Sequence, residues 1–67
     1  MSGTTVNGAP ADLAPGTTVA DLVAARCTSA KGVAVALNGE VVPRSTWGST
    51  QVTPGDDVEI VTAAAGG

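Results

Sequence analysis

A chain of 67 residues carrying a net charge of −3 has room for one domain and one modest core, which excludes a multi-domain enzyme. Three basic residues (Arg26, Lys31, Arg44) against six acidic ones cannot neutralise a row of phosphates, and Trp47 is the only aromatic, so neither duplex nor single-stranded nucleic acid is an expected partner. Cys27 is the single cysteine and there is no histidine, so neither an internal disulfide nor the usual zinc ligand set is available; a metal-free fold in a reducing cytoplasm is expected.

The elements follow in chain order. Asn7-Gly8 suits a type I′ hairpin turn, because both residues tolerate a positive φ, and predicts a weak strand from Thr4 to Val6 paired with one from about Pro10 to Leu13. Pro15-Gly16 marks a turn. Thr18 follows as a helix N-cap, and Thr18-x-x-Asp21 approximates a capping box with the carboxylate where the helix dipole favours it. Val19, Leu22 and Val23 recur at helical spacing, with the stem of Arg26 extending the apolar face, and predict a helix from Val19 to Cys27 or Ser29. Cys27 then ends that helix on its apolar side and reads as a core residue rather than a persulfide relay.

Val33 to Leu37 alternates large and small residues, so period two places Val33, Val35 and Leu37 inward and Ala34 and Ala36 outward. Asn38-Gly39 repeats the hairpin signal and leads to Glu40-Val41-Val42, which Pro43 ends because it has no N–H for the ladder. Arg44 to Gln51 is expected as a loop carrying Trp47. Pro54-Gly55-Asp56 forms a turn, and the last strand runs from Asp57 to Thr62 with Val58 and Ile60 inward and Asp57, Glu59 and Val61 outward. The sum is an α+β fold in which one helix covers one face of a mixed sheet of about five strands. The first and last strands would pair in parallel at its centre. The start of the sequence has no basic, apolar leader, and the longest apolar run is far too short to cross a bilayer, so no membrane association is expected.

The expected domain is 1–62, followed by a flexible tail, Ala63-Ala64-Ala65-Gly66-Gly67. A frayed and inert end is the plain alternative. A segment almost free of side chains also fits a narrow channel, where glycine adopts extended or positive-φ conformations without strain. Its one reactive group is the carboxylate of Gly67. A free carboxylate is a poor electrophile, and activation as an acyl-adenylate is one route. The chain has no Gly-x-x-x-x-Gly-Lys-[Ser/Thr] loop to hold ATP itself, so activation falls to a partner and the chain would be a substrate rather than an enzyme.

Val19-Ala20-Asp21-Leu22-Val23, Leu37-Asn38-Gly39-Glu40-Val41-Val42-Pro43-Arg44, Trp47, the Gly55-Asp56 turn and the terminal Gly66-Gly67 together resemble the ThiS family of ubiquitin-like sulfur carriers. The resemblance extends from Val6 to Gly67. It implies a β-grasp fold and a role in making the thiazole of thiamine. In that role a ThiF-type enzyme spends ATP to adenylate Gly67, a cysteine desulfurase supplies persulfide sulfur, and the resulting thiocarboxylate donates it to thiazole synthase. No cofactor would be bound by the chain itself. Two other readings compete: a carrier for another pathway, like the small subunit of molybdopterin synthase, and a β-grasp interaction module with an inert tail.

Around the tail residues Ala64, Ala65, Gly66 and Gly67, the candidates for partner docking are Asp56, Asp57, Glu59, Arg44, Trp47 and Val61. The three acidic residues precede the tail and suit a basic partner, although Asp56 also fits plain turn chemistry. Arg44 is either a contact for an acidic group or simply solvated. Trp47 is either an exposed anchor or a plug for the core.

Overall fold

The computed structural model describes residues 3–29 and 31–62. The expected flexible tail from Ala63 to Gly67 lies outside them. The elements are β1 (Thr5–Val6), β2 (Ala9–Pro10), α1 (Val19–Arg26), β3 (Val33–Leu37), β4 (Glu40–Val42), a 3₁₀ helix (Arg44–Ser49) and β5 (Asp57–Thr62). The strands form one mixed sheet in the order β2-β1-β5-β3-β4. As expected, β5 pairs in parallel with β1 at the centre; its other side runs antiparallel to β3.

Both hairpins turn on Asn-Gly. Asn7 and Asn38 have φ of 53° and 52°, and the glycines after them 81° and 86°, the left-handed pair that a type I′ turn needs. The turns fix the registers Val6↔Ala9 and Leu37↔Glu40. The second strand is shorter than its sequence predicts. It stops at Pro10, with one further backbone bond from Ala11 N–H to the Thr4 carbonyl (2.9 Å), because Pro10 donates nothing and Asp12 stays in water.

α1 begins with a complete capping box. The Thr18 hydroxyl accepts from the Asp21 N–H (3.1 Å), and the Asp21 carboxylate accepts from the Thr18 N–H (3.0 Å). The helix closes at Arg26, with Cys27 already extended and its N–H returned to the Val23 carbonyl (2.8 Å). Arg26 is exposed, contrary to the expectation that its stem would widen the apolar face; half-buried Cys27 and Ala20 pack there instead.

One core lies between α1 and the inner face of the sheet. It holds Val6, Val19, Leu22, Val23, Val33, Val35, Val42, Trp47, Val52 and Val58, with Leu37 and Ile60 packed at its margin. The segment expected as a plain loop is a 3₁₀ helix. Its turns are held by hydroxyls: Thr46 donates to the Pro43 carbonyl (2.9 Å), and Ser49 and Thr50 both donate to that of Thr46. This helix closes one end of the core by burying Trp47. At the other end, the buried Thr4 hydroxyl donates to the Thr53 carbonyl (3.2 Å), so a polar residue enters the core without an orphaned group.

Candidate functional site

The centre strand positions everything that precedes the tail. Period two turns Val58 into the core, fully buried, and leaves Asp57, Glu59 and Val61 on the opposite, open face. The register assembles that face in rows. Val41, Ala36 and Glu59 lie side by side across β4, β3 and β5, and Ala34 and Val61 form the next row. Val41 is 77% exposed and Val61 62%, the two large apolar side chains most open to solvent among the described residues. A third row pairs Thr5 with Asp57, whose carboxylate accepts the Thr5 hydroxyl at 2.7 Å.

Asp56 does a different job. Its carboxylate accepts from the Thr53 N–H (2.8 Å) and the Thr53 hydroxyl (3.0 Å), and from the Asn38 side-chain amide (3.0 Å). These bonds tie the turn before β5 to the β3–β4 hairpin. The Thr53 N–H, then the Asn38 amide, favour the ionised form and hold the carboxyl below its ordinary value of 3.8, against a smaller opposing effect of burial. A lowered pKa in the folded state means stability that is present above the unfolded value and lost as pH falls through the folded one. Asp56→Asn is therefore expected to cost about 1 kcal/mol at pH 7, the worth of a charge-assisted bond discounted for solvent. In thermal unfolding of the two proteins from pH 7 to pH 2.5, the gap should close below about pH 4. A gap that stays constant with pH would remove Asp56 from the acid sensitivity of the fold.

The docking candidates thus separate. Asp57, Glu59 and Val61 share one face with Val41, which sequence reasoning did not single out. Its alternation with buried Val42 was the available signal. Trp47 is corrected from possible exposed anchor to core plug: it is 6% exposed, and its indole N–H donates to the Val42 carbonyl at 2.9 Å. Arg44 stands over that ring, its guanidinium carbon 5.2 Å from the centroid, so the cation is held on an aromatic platform. Cys27 lines an apolar groove of about 290 Å³ between α1 and Trp47, on the opposite side of the sheet from the Glu59 row. Among the described residues no three His, Cys, Asp or Glu side chains gather as metal ligands, and no helix is long and apolar enough to cross a membrane. The tail candidates Ala64, Ala65, Gly66 and Gly67 lie outside the described residues.

Comparison with known proteins adds to this geometry. A search of curated proteins finds no significant match. Among solved structures, the crystal structure of a thiamine biosynthesis protein (ThiS) from Geobacter metallireducens is similar with a TM-score of 0.78 and 39% sequence identity, over 88% of this chain and 90% of that one. The sheet order and single helix are thus those of a ubiquitin-like β-grasp. The ThiS family profile matches residues 4–67, nearly the whole sequence and both terminal glycines. This chain belongs to the ThiS family.

Proposed function

We propose that the chain is a sulfur carrier for thiamine biosynthesis and works through the carboxylate of Gly67. The observation that supports this most is the family match over residues 4–67, which takes in Gly66-Gly67. A ThiF-type enzyme joins the carboxylate to AMP at the expense of ATP and releases pyrophosphate. The terminal sulfur of a cysteine-desulfurase persulfide then displaces AMP to give an acyl disulfide, and a thiol reductant cleaves its S–S bond to release the thiocarboxylate, which thiazole synthase consumes. The chain is a protein substrate in each step, binds no cofactor of its own, and acts in the cytoplasm.

The described fold suits such a role. Asp57, Glu59, Val61 and Val41 give β5 and its neighbours a partly apolar, acidic face, the kind that a partner covers. Arg44, set on Trp47, offers a second contact at the sheet margin.

Intact mass tests the proposal. The protein is incubated with a ThiF-type enzyme, ATP and a sulfide source, beside a variant lacking Gly67. Replacement of one oxygen by sulfur in the wild type alone is the expected result. No mass change with an enzyme active on its own carrier sinks the thiamine assignment. A molybdopterin-type activating enzyme would then be tried, and failure with both leaves a β-grasp interaction module with an inert tail.

A further inference from the structure

Glu59 occupies an unusual place on the open face. It sits on the centre strand, level with Ala36 and Val41, and is followed two residues on by Val61, itself level with Ala34. On the β3 side its row is therefore small and apolar, Ala36 and then Val41, while on the β1 side the chain passes to Asn7, whose side-chain oxygen is taken by the Ile60 N–H; Asp57 already accepts the Thr5 hydroxyl. The basic residues stand on other elements: Arg26 ends α1, Lys31 precedes β3 and Arg44 opens the 3₁₀ helix.

In water this arrangement costs nothing, since Glu59 is exposed and hydrated. Covering the face changes that. The carboxylate would be stripped of water beside an apolar row, with no cation of its own strand to meet it, which is unfavourable unless the covering surface supplies a cation in good geometry. An all-apolar partner surface is disfavoured, and one with a basic group among apolar side chains is selected. A guanidinium fits best, because its fork meets both carboxylate oxygens. β5 also leads directly into the segment ending at Gly67, so an enzyme acting on that terminus meets the outer face of β5 on the way.

We infer that Glu59 is the specificity-determining residue of the open face, selecting an adenylating enzyme whose docking surface sets one basic side chain among apolar ones. The inference rests on the sulfur-carrier reading above. It is tested by ATP–pyrophosphate exchange with a ThiF-type enzyme, the full-length chain being the varied substrate. Glu59→Gln, nearly the same in shape, should raise the KM for the carrier by about tenfold or more, and Glu59→Lys by about a hundredfold or more, with kcat unchanged. Added salt should raise the KM of the wild type more steeply than that of Glu59→Gln. Glu40→Gln, which removes the same charge from β4, should stay within about threefold of wild type. Thermal unfolding of each variant monitors the fold, and Glu59→Gln carries the test if Glu59→Lys does not fold.

Wild-type KM for both Glu59 variants, with the wild type turned over, overturns this inference alone. So does an equal effect from Glu40→Gln, which would make the response one of net charge, or a fall in kcat at constant KM. If the wild type supports no exchange with an enzyme competent on its own carrier, the sulfur-carrier reading falls and takes this inference with it.

Discussion

Replacing Trp47 by alanine is expected to unfold much of this protein at 25 °C. The indole is the one large side chain in a core otherwise made mostly of valines, and it closes the end of that core beneath the 3₁₀ helix. Truncating a buried Trp or Phe to alanine costs about 3–5 kcal/mol. A domain of this length has only about 3–10 kcal/mol of total stability, by per-residue scaling. The Val42 carbonyl also loses its indole donor, and Arg44 loses the ring beneath it. Circular dichroism during heating should show the midpoint falling by roughly 15–35 °C. Trp47→Phe keeps most of the volume but not the N–H, and should cost about 1–2 kcal/mol. A midpoint within a few degrees of wild type for the alanine variant would mean that the ring is dispensable packing and the core closes without it.

The second large effect falls on Asn38, which serves the fold in two separable ways. Its backbone sits at φ 52°, where a residue with a Cβ is strained by about 1–2 kcal/mol. Its side chain accepts the Asp57 N–H at 2.9 Å and donates to the Asp56 carboxylate at 3.0 Å, worth about 0.5–1.5 kcal/mol each. Asn38→Ala loses both contributions, for a total of about 2–5 kcal/mol. Asn38→Gly loses the bonds but keeps the conformation, and should cost about half as much. Urea denaturation of the three proteins gives the order wild type, glycine, alanine. If the two variants proved equally stable, the left-handed conformation would count for nothing. If glycine matched wild type, the side-chain bridge would be the idle part.

Much of this fold is legible in the sequence because its signals are local. Asn7-Gly8 and Asn38-Gly39 announce hairpins through backbone chemistry, Thr18 and Asp21 mark the helix start, and the alternation of Val33 to Leu37 and Asp57 to Thr62 separates the two faces of the sheet. What escaped depends on contacts between distant segments. The Asn7 side-chain oxygen Oδ1 accepts the Ile60 N–H at 2.7 Å, 53 positions away, just as Asn38 reaches Asp57. Each turn asparagine therefore also braces the centre strand, which no dipeptide rule reveals. The 3₁₀ helix has no apolar period to expose it, since serine and threonine hydroxyls hold its turns. Val52 entered the core unannounced for a similar reason. A lone valine between polar neighbours, it is placed by its N–H reaching the Thr17 carbonyl (2.8 Å) beside an isolated bridge between Thr18 and Gln51.

On the functional side, Asp57, Glu59 and Val61 could be assigned to one face from period two alone. The apolar row on the β3 side of Glu59 could not. It requires the register that sets Ala36 between Val41 and Glu59, a fact about three strands at once. The fate of Trp47 was equally open, because an isolated tryptophan reads the same from sequence whether it anchors a partner or plugs a core.

The position of β5 also fixes how the chain bears a pull on its end. A force applied beyond Thr62 enters the middle of the sheet, not an edge strand that could be peeled away. The two sides of β5 do not resist alike. Toward β3, rungs continue to Val33 and Thr62, while toward β1 the backbone ladder covers only Asp57 and Val58, with Asn7 as the last hold at Ile60. Val61 and Thr62 are thus tethered on one side. Tension would free those two residues first and then meet the asparagine brace, where further yielding means shearing both flanks together. Two released rungs would lengthen the free chain by about 7 Å. The end of β5 thus holds a small reserve of slack with a firm stop behind it, so two residues can be drawn out without surrendering the core.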